Sequence, residues 1–166
     1  MTKFKMITMG ATIAAFTATY AAAGVFEHYG EVQGWNVFLD KEKMSCLIEK
    51  SDDLGHVVQM GLMEDRGIGY LGVFTKDEIN LKSGDKKAVA VLLGDNLYFG
   101  EATGMRSNKT ESLNGGYILT DSAEFVEDIA KQYTMTVFPE KSYGFVMNLA
   151  GTYKALEMVK KCNAEN

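Results

Sequence analysis

The segment AVAVLLGDNLYFGEAT, residues 88–103, decides the fold class of this chain. Its first part, residues 88–93, is a short unbroken apolar run, which is typical of a strand buried on both faces. Gly94-Asp95-Asn96 supplies residue types that favour a tight turn, and residues 97–103 return as a second strand. The segment therefore predicts a β-hairpin, and it indicates a chain built mainly from antiparallel strands.

Further strands are predicted on both sides of this hairpin, because short apolar or alternating runs are bounded by turn residues. Residues 133–138 alternate most clearly, which predicts that Met135 and Val137 face the core. Residues 56–62 and 68–75 form a second hairpin joined by Glu64-Asp65-Arg66-Gly67. The remaining predicted strands are residues 35–39, 45–49, 117–120 and 143–149.

Two helices are predicted near the C-terminus. Asp121 is followed three residues later by Glu124, which resembles a capping box, and an apolar stripe continues for a helix of about 11 residues. A second amphipathic helix begins at Thr152 and runs to the end of the chain. The sequence thus predicts a mainly β domain, either an antiparallel β-sandwich or a strongly twisted sheet, with two short helices near the C-terminus.

Residues 1–23 have the pattern of a secretory signal peptide. Lys3 and Lys5 precede an uncharged stretch, and Ala21-Ala22-Ala23 supplies the small residues that signal peptidase accepts, which predicts cleavage after Ala23. A retained membrane anchor is the alternative, but the apolar stretch is short and no positive flank follows it. We therefore expect residues 24–166 to form one exported domain, periplasmic or secreted, without membrane insertion.

The expected mature domain is acidic. Of the 17 Lys and Arg residues, two lie in the predicted signal peptide, which leaves 15 against 22 Asp and Glu. A protein that binds nucleic acid usually carries a basic surface to neutralise the phosphates, so nucleic acid is not an expected partner.

The expected export also bears on the role of the two cysteines, Cys46 and Cys162. In an oxidising compartment a pair of cysteines favours a structural disulfide over a redox pair. Helical spacing places Cys162 on the apolar side of the terminal helix, and Cys46 shares a strand face with Ile48. We predict a disulfide between them, with two unpaired core cysteines as the alternative.

The sequence offers little catalytic chemistry. The two histidines are His28, in the expected mobile start of the mature chain, and His56, at the start of a predicted strand. Neither stands in a nucleophile, phosphate-binding or zinc-protease motif. Acidic pairs such as Asp52-Asp53 lie in predicted turns, where carboxylates are usually solvated. We predict a non-enzymatic protein without a catalytic residue or cofactor; an unrecognised hydrolase is the alternative.

The sequence contains one candidate set of metal ligands, for which ordinary packing of the same side chains is the alternative. His56, Met60 and Met63 are soft ligands that suit copper. On a strand, however, His56 and Met60 point to one face and Met63 to the other, because the side-chain period is two. The short Asp95-Asn96 turn also lacks the oxygen ligands of a calcium loop. No metal site is predicted.

Residues 104–116 are predicted to form the longest irregular loop and the best candidate binding surface. The segment is polar and ends in Asn114-Gly115-Gly116, which we expect to be flexible. Long loops carry binding residues more often than core strands do, although a plain solvated connection is the alternative. The candidate residues are Arg106, Asn108, Lys109, Asn114, Gly115, Gly116 and Tyr117.

Three pieces of the chain resemble a known family. They are the strand start Gly34-Trp35-Asn36-Val37, Cys46 shortly after it, and residues 145–156 followed by Cys162. Together they resemble small exported bacterial proteins related to the invasion-associated locus B family. The resemblance covers the two ends of the expected mature chain. It implies a Gram-negative envelope location and a β-rich fold, and it assigns no catalytic residue.

Two functions remain open from the sequence. The first is a protein-binding or structural module of the envelope that binds an envelope or extracellular protein, for example as an inhibitor-like binder of a wall enzyme. The second is a periplasmic carrier of a small ligand, with a pocket lined by Trp35, Tyr70, Phe74, Tyr98 and Phe99. These rings instead fill the core if no pocket exists. An apolar pocket above about 300 Å³ would favour the carrier.

Overall fold

The computed structural model describes residues 25–63, 68–77, 79, 82, 84–106 and 113–166. The predicted signal peptide therefore lies outside the described residues. The described chain forms ten strands and two helices. In chain order these are β1 Phe26–Val32, β2 Trp35–Asp40, β3 Ser45–Ser51, β4 Val57–Met63, β5 Ile68–Thr75, β6 Lys86–Leu93, β7 Asn96–Arg106, β8 Asn114–Thr120, α1 Ala123–Lys131, β9 Thr134–Val137, β10 Phe145–Asn148 and α2 Thr152–Glu165.

All ten strands belong to one antiparallel sheet, in the order β1-β2-β3-β4-β5-β8-β7-β6-β9-β10. The first five strands follow one another directly, whereas β6, β7 and β8 run back so that β8 pairs with β5. The mainly β prediction is confirmed, and of its two variants the single twisted sheet is the one observed. The predicted hairpin is also observed, with Gly94 at its turn in the left-handed region at φ 58°.

The sheet coils until its last strand reaches its first strands. The ring of Phe145 in β10 stacks on His56, just before β4, with the ring centroids 4.2 Å apart. After β10, the Ala150 carbonyl accepts a hydrogen bond from the Trp35 indole at 3.2 Å. These two contacts close the coil around one apolar interior.

The inner face of the sheet carries the core. Trp35, Val37 and Ile48 are fully buried there, and so are Met135 and Val137, as the alternation of residues 133–138 predicts. The helix α2 lies against β2 and β3, and α1 lies against α2. Burial of this apolar face is the main force that holds the sheet and the helices together.

The predicted disulfide is confirmed. Cys46 lies on the inner face of β3 and Cys162 on the buried side of α2, with their Cα atoms 6.1 Å apart. The bond links residues separated by 116 positions, so it ties the last helix to an early strand. Within the described residues, no helix has the length and apolarity needed to cross a membrane.

Two local predictions are corrected by the structure. His28 does not lie in a mobile start of the chain: it belongs to edge strand β1, pairs with Phe38, and its ring contacts the Phe38 ring at 5.5 Å. This strand is largely exposed and lacks clear apolar alternation, which hid it from pattern analysis. The cap of α1 is Ser122 rather than Asp121, because the Ser122 hydroxyl accepts the Phe125 N–H at 3.2 Å.

Candidate functional site

The outer face of the sheet, opposite the core, divides into two regions of different character. The closed outer face lies on β2 to β5 and β8. Its side chains are Asp40, Leu47, Glu49, Gln59, Tyr70, Phe74 and Tyr117. The open outer face lies on β6 to β10. Its side chains are Ala88, Ala90, Leu92, Leu97, Phe99, Leu119, Thr136 and Val146.

A chain of hydrogen bonds crosses the closed outer face. The Tyr117 hydroxyl donates to Gln59 Oε1 at 2.7 Å, and Gln59 Nε2 donates to Glu49 Oε2 at 2.6 Å. The Tyr117 ring meets the edges of Tyr70 and Phe74, with centroid separations of 5.5 and 5.3 Å. Gln59 is buried, so these bonds satisfy an amide that would otherwise be costly to bury.

Glycines allow these tyrosine rings to lie flat on the sheet. A Cβ on Gly61 would stand 2.6 Å from the Tyr70 hydroxyl oxygen, and one on Gly72 would stand 2.6 Å from the Tyr117 ring. Any larger residue at either position would push a ring away from the backbone. The closed outer face is therefore sealed by its own aromatic side chains.

The tyrosines of the closed outer face remain neutral at ordinary pH. Burial, together with the charges of Glu49 and Asp40, raises the pKa of Tyr117 to about 12. Burial and the nearby Tyr117 and Asp40 groups also raise the pKa of Tyr70. Both hydroxyls keep their protons, and Tyr117 serves as the donor to Gln59.

The open outer face is a contiguous apolar surface. Strand register places Leu97 opposite Leu92, Leu92 opposite Thr136, and Thr136 opposite Val146, so one row crosses four adjacent strands. Phe99 lies opposite Ala90 in the next row. Phe99 is 78% exposed and Val146 is 58% exposed.

Polar groups border this apolar surface. Lys86 and Glu101 form an exposed ion pair of 2.7 Å at one end, next to Ala88. Asn148 is exposed on the same face, two residues after Val146 in β10. An apolar centre with a polar rim is the ordinary composition of a protein-binding surface, whereas singly scattered apolar residues carry no such meaning.

The strands behind the open outer face are held by α1. The Tyr98 hydroxyl and the Asn96 amide both donate to Asp128 Oδ2, at 2.6 and 2.8 Å. The Asp128 bond, with desolvation and nearby charge, raises the pKa of Tyr98 to about 12, and the same two bonds lower the pKa of Asp128. These bonds fix the helix to the β6–β7 hairpin that presents Phe99.

A small groove lies beside Phe99, between β7, the end of β8 and the start of α1. Tyr98, Phe99, Leu119 and Phe125 are among the residues that line it, and its volume is about 90 Å³. This is well below the roughly 300 Å³ at which small-molecule pockets begin. The groove therefore gives the carrier hypothesis no support.

The five aromatic residues predicted to line one pocket do not share a cavity, which corrects that prediction. Trp35 is fully buried on the inner face, whereas Phe74 is buried and Tyr70 half-buried on the closed outer face. Tyr98 packs against Phe125 of α1, and Phe99 projects from the open outer face. Of the five residues, Tyr98 and Phe99 line the small groove, whereas Trp35, Tyr70 and Phe74 lie elsewhere on the sheet.

The structure also corrects the extent of the predicted irregular loop, residues 104–116. Strand β7 extends through residue 106, and β8 begins at Asn114, which pairs with Arg106. Gly115 and Gly116 are not flexible: they lie buried between β5 and β7, where a Cβ on Gly116 would stand 2.6 Å from the Thr103 carbonyl oxygen. Tyr117 belongs to the closed outer face. Asn108 and Lys109 lie outside the described residues.

Outside these faces, His56 and Asp52 form a polar pair joined by two contacts. His56 Nδ1 contacts Asp52 Oδ2 at 2.6 Å, and the His56 backbone N–H donates to Asp52 Oδ1 at 2.9 Å. Burial opposes ionisation of Asp52, but the bonds from His56 outweigh it and lower its pKa. The pair fixes the ring that stacks on Phe145, and so it helps close the coil.

The soft-ligand set His56, Met60 and Met63 is not a group that the structure brings together. Met60 is buried on the inner face, His56 is bound to Asp52, and the Met63 side chain lies outside the described part. Among the described residues, no cluster of three or more His, Cys, Asp or Glu side chains has the arrangement of a metal site.

Sequence analysis missed most of the open outer face. Phe99 was assigned to a pocket, while Leu97, Leu119 and Val146 received no role. Alternation in 97–103 was the available signal, because it places Leu97 and Phe99 on one face and Tyr98 on the other. The pairing of β6 with β9, which joins Leu92 to Thr136 and Val146, leaves no local pattern in the sequence.

Comparison of this chain with models of known protein families, with curated proteins and with solved structures finds no match.

Proposed function

We propose that this chain is a non-enzymatic, exported envelope protein that acts as a protein-binding module through its open outer face. The observation that carries the proposal is the contiguous apolar surface around Phe99, which is 78% exposed. Burying one such ring against a partner contributes on the order of 2 kcal/mol, so the surrounding apolar row supplies a substantial driving force for association.

The disulfide and the resemblance in the sequence support the setting of this proposal. A bond between Cys46 and Cys162 is stable in an oxidising compartment, as the predicted signal peptide requires. The resemblance to exported proteins related to the invasion-associated locus B family points to a Gram-negative envelope. We therefore expect the partner to be an envelope or extracellular protein, as for an inhibitor-like binder.

The rigid support of the open outer face favours binding of a folded partner. Phe99 is the fourth residue of the eleven-residue strand β7 and pairs with Ala90 of β6, so its backbone is already ordered before binding. A surface that loses little conformational entropy on binding gains affinity for the same contact area. The inhibitor-like mode uses such preformed surfaces.

Site-specific photocrosslinking in living source cells tests the proposal. A photoreactive phenylalanine analogue placed at Phe99 should yield one discrete protein adduct, and the same analogue at exposed Leu54 should not. Leu54 is 76% exposed and lies in the β3–β4 turn, so it matches Phe99 in accessibility but not in location.

The adduct must also depend on the neighbouring apolar row. Leu97→Ser should remove at least nine tenths of the adduct formed from position 99, because Leu97 adjoins Phe99 on the same face of β7. Tyr153→Ser, at an exposed site on α2, should leave it unchanged. Equal adduct patterns from positions 99 and 54 would contradict the proposal.

A further inference from the structure

We propose that the free edge of β10 is a second docking site, which binds an extended segment of a partner protein as an additional antiparallel strand. The proposal goes beyond the open outer face, because it concerns backbone groups at the sheet edge rather than apolar side chains. It rests on the proposed function only in taking the partner to be a protein. Strand addition at a sheet edge is a recurrent mode of peptide recognition.

The register of β9 and β10 shows which backbone groups point outward. The Leu149 N–H donates to the Tyr133 carbonyl at 2.8 Å, directly beyond the last residue pair of the two strands. Along two antiparallel strands, every second pair of opposed residues is joined by backbone hydrogen bonds. Because Leu149 belongs to such a bonded pair, Met147 and Phe145 also bond to β9. The N–H and C=O groups of Val146 and Asn148 therefore face away from β9.

These outward groups have no hydrogen-bond partner in the described chain. β10 pairs with β9 alone, and it ends the strand order of the sheet. The side chain of Asn148 turns to the following loop, where its Oδ1 accepts the Ala150 N–H at 2.7 Å. Two residues thus present four backbone groups at the spacing of a strand.

The other edge of the sheet carries a bulge and charges that oppose such pairing, and β10 carries neither. Strand β1 carries an irregularity between His28 and Gly30 and has charged Glu27 and Glu31 along its length. Bulges and charges are the usual protection of exposed edges. The sequence of β10, Phe-Val-Met-Asn, contains neither charge nor proline, and its pairing with β9 is regular.

The geometry also defines the occupant. The outward groups of Val146 and Asn148 repeat every two residues, which is about 6.8 Å along a strand. An extended backbone offers its own donors and acceptors at the same repeat. Val146 is 58% exposed and belongs to the open outer face, so an apolar side chain beside it would extend the row that runs from Leu97. We therefore assign the site to an uncharged extended segment with an apolar residue at every second position.

Amide hydrogen exchange by NMR on the oxidised protein tests the site. The probe is an acetylated and amidated peptide of alternating Thr and Val residues with a Lys at each end. At saturation it should slow exchange of the Val146 and Asn148 amides at least tenfold. The Phe145 and Met147 amides, already bonded to β9, should change less than twofold. The same peptide N-methylated at every Thr and Val, which lacks donors on both edges, should have no effect.

Two variants separate backbone pairing from side-chain contact. V146P removes one outward N–H and should weaken peptide binding at least tenfold, whereas V146T keeps the N–H and should weaken it less than threefold. If V146P fails to fold, V146K supplies the charge that defends natural edges and should weaken binding by a similar factor. These readouts are independent of crosslinking at Phe99, so this proposal and the proposed function fail separately.

Three outcomes would overturn the proposal. The first is slow exchange of the Val146 and Asn148 amides in the free, dilute protein. The second is peptide-induced protection located elsewhere. The third is protection of these two amides that rises with protein concentration alone and accompanies a doubled mass, which would assign the edge to a second copy of this chain.

Discussion

The closed and the open outer faces belong to one side of one sheet, yet only the first is sealed. On the closed outer face Phe74 is 2% exposed, whereas Phe99 on the open outer face is 78% exposed. Both rings stand on regular paired strands. The difference lies in what surrounds them: Phe74 has the Tyr117 ring beside it, and Phe99 has Ala90 opposite it.

This contrast shows that glycine and tyrosine together can replace a covering layer. Gly61 and Gly72 leave room for the Tyr70 and Tyr117 rings to fold down over the backbone. On the open outer face the residue opposite Phe99 is the small Ala90, and the Phe99 ring stays 78% exposed. One region is therefore built for stability, and the other is available for binding.

The largest expected effect concerns the disulfide that anchors α2 beneath β2 and β3. Replacing Cys46 and Cys162 by Ala should lower the free energy of unfolding by about 4 kcal/mol in the chain-entropy model, because the bond closes a very long loop in the unfolded chain. Urea unfolding of the oxidised protein measures the change. Crosslinking from Phe99 should persist in the folded double variant.

The single variants provide the control for this prediction. Each already lacks the bond and leaves one free thiol, so the double variant should be no less stable than either single one. Two free thiols titrating in the denatured, oxidised wild-type protein would contradict the disulfide.

The second effect tests how tightly the closed outer face is built. A Cβ on Gly115 would overlap the Val73 carbonyl oxygen and the Phe74 Cα, both of which are backbone. Gly115→Ala should therefore cost about 3 kcal/mol, near the upper end for overpacking. Gly69→Ala in the paired strand β5 is the matched control, since its Cβ would meet nothing closer than 3.6 Å. Equal urea midpoints for the two variants would refute tight packing.

The third effect is a pH dependence of stability to which Tyr117 on the closed outer face contributes. The folded pKa of Tyr117 is raised to about 12. A raised pKa contributes stability that is complete below the unfolded value near 10 and is lost as pH rises toward 12. The free energy of unfolding should fall by about 1 kcal/mol over this window. Tyr117→Phe should reduce this fall, whereas exposed Tyr153→Phe should not, as measured by urea unfolding at pH 9 and 11.

The smallest effect on stability is expected on the open outer face. Phe99→Ser should change the free energy of unfolding by less than about 0.5 kcal/mol, because the ring is already in water. Its counterpart Phe74→Ser should cost about 3 kcal/mol, since it empties a buried site. Comparable losses for the two variants would show that the two faces do not differ in packing.

The last prediction compares the tendency of the two edge strands, β1 and β10, to pair with other molecules in solution. Strand β10, which carries no charge, should be the edge that pairs, so a charge introduced at Val146 should raise solubility at high concentration more than reversal of the charge at exposed Glu31 does. Turbidity of the two variants, Val146→Lys and Glu31→Lys, measures this small difference.

Elements with local signals could be predicted from the amino-acid sequence. Alternation in residues 133–138 assigned Met135 and Val137 to the core, and the Gly94-Asp95-Asn96 turn defined the central hairpin. The disulfide was also predictable, because periodicity placed Cys46 and Cys162 on apolar faces and the predicted signal peptide indicated an oxidising compartment. Each of these inferences uses only the pattern of neighbouring residues within a single strand, turn or helix.

The tertiary structure alone decided which strands are neighbours and which outer surface is covered. Strand alternation places Phe74 and Phe99 equally well on an outer face, but it does not state that Tyr117 lies beside one of them. Pairings such as β5 with β8 and β6 with β9 join distant segments, and backbone hydrogen bonds are the same for every sequence. The open outer face was therefore hidden in the sequence, since its row from Leu97 to Val146 exists only after these long-range pairings form.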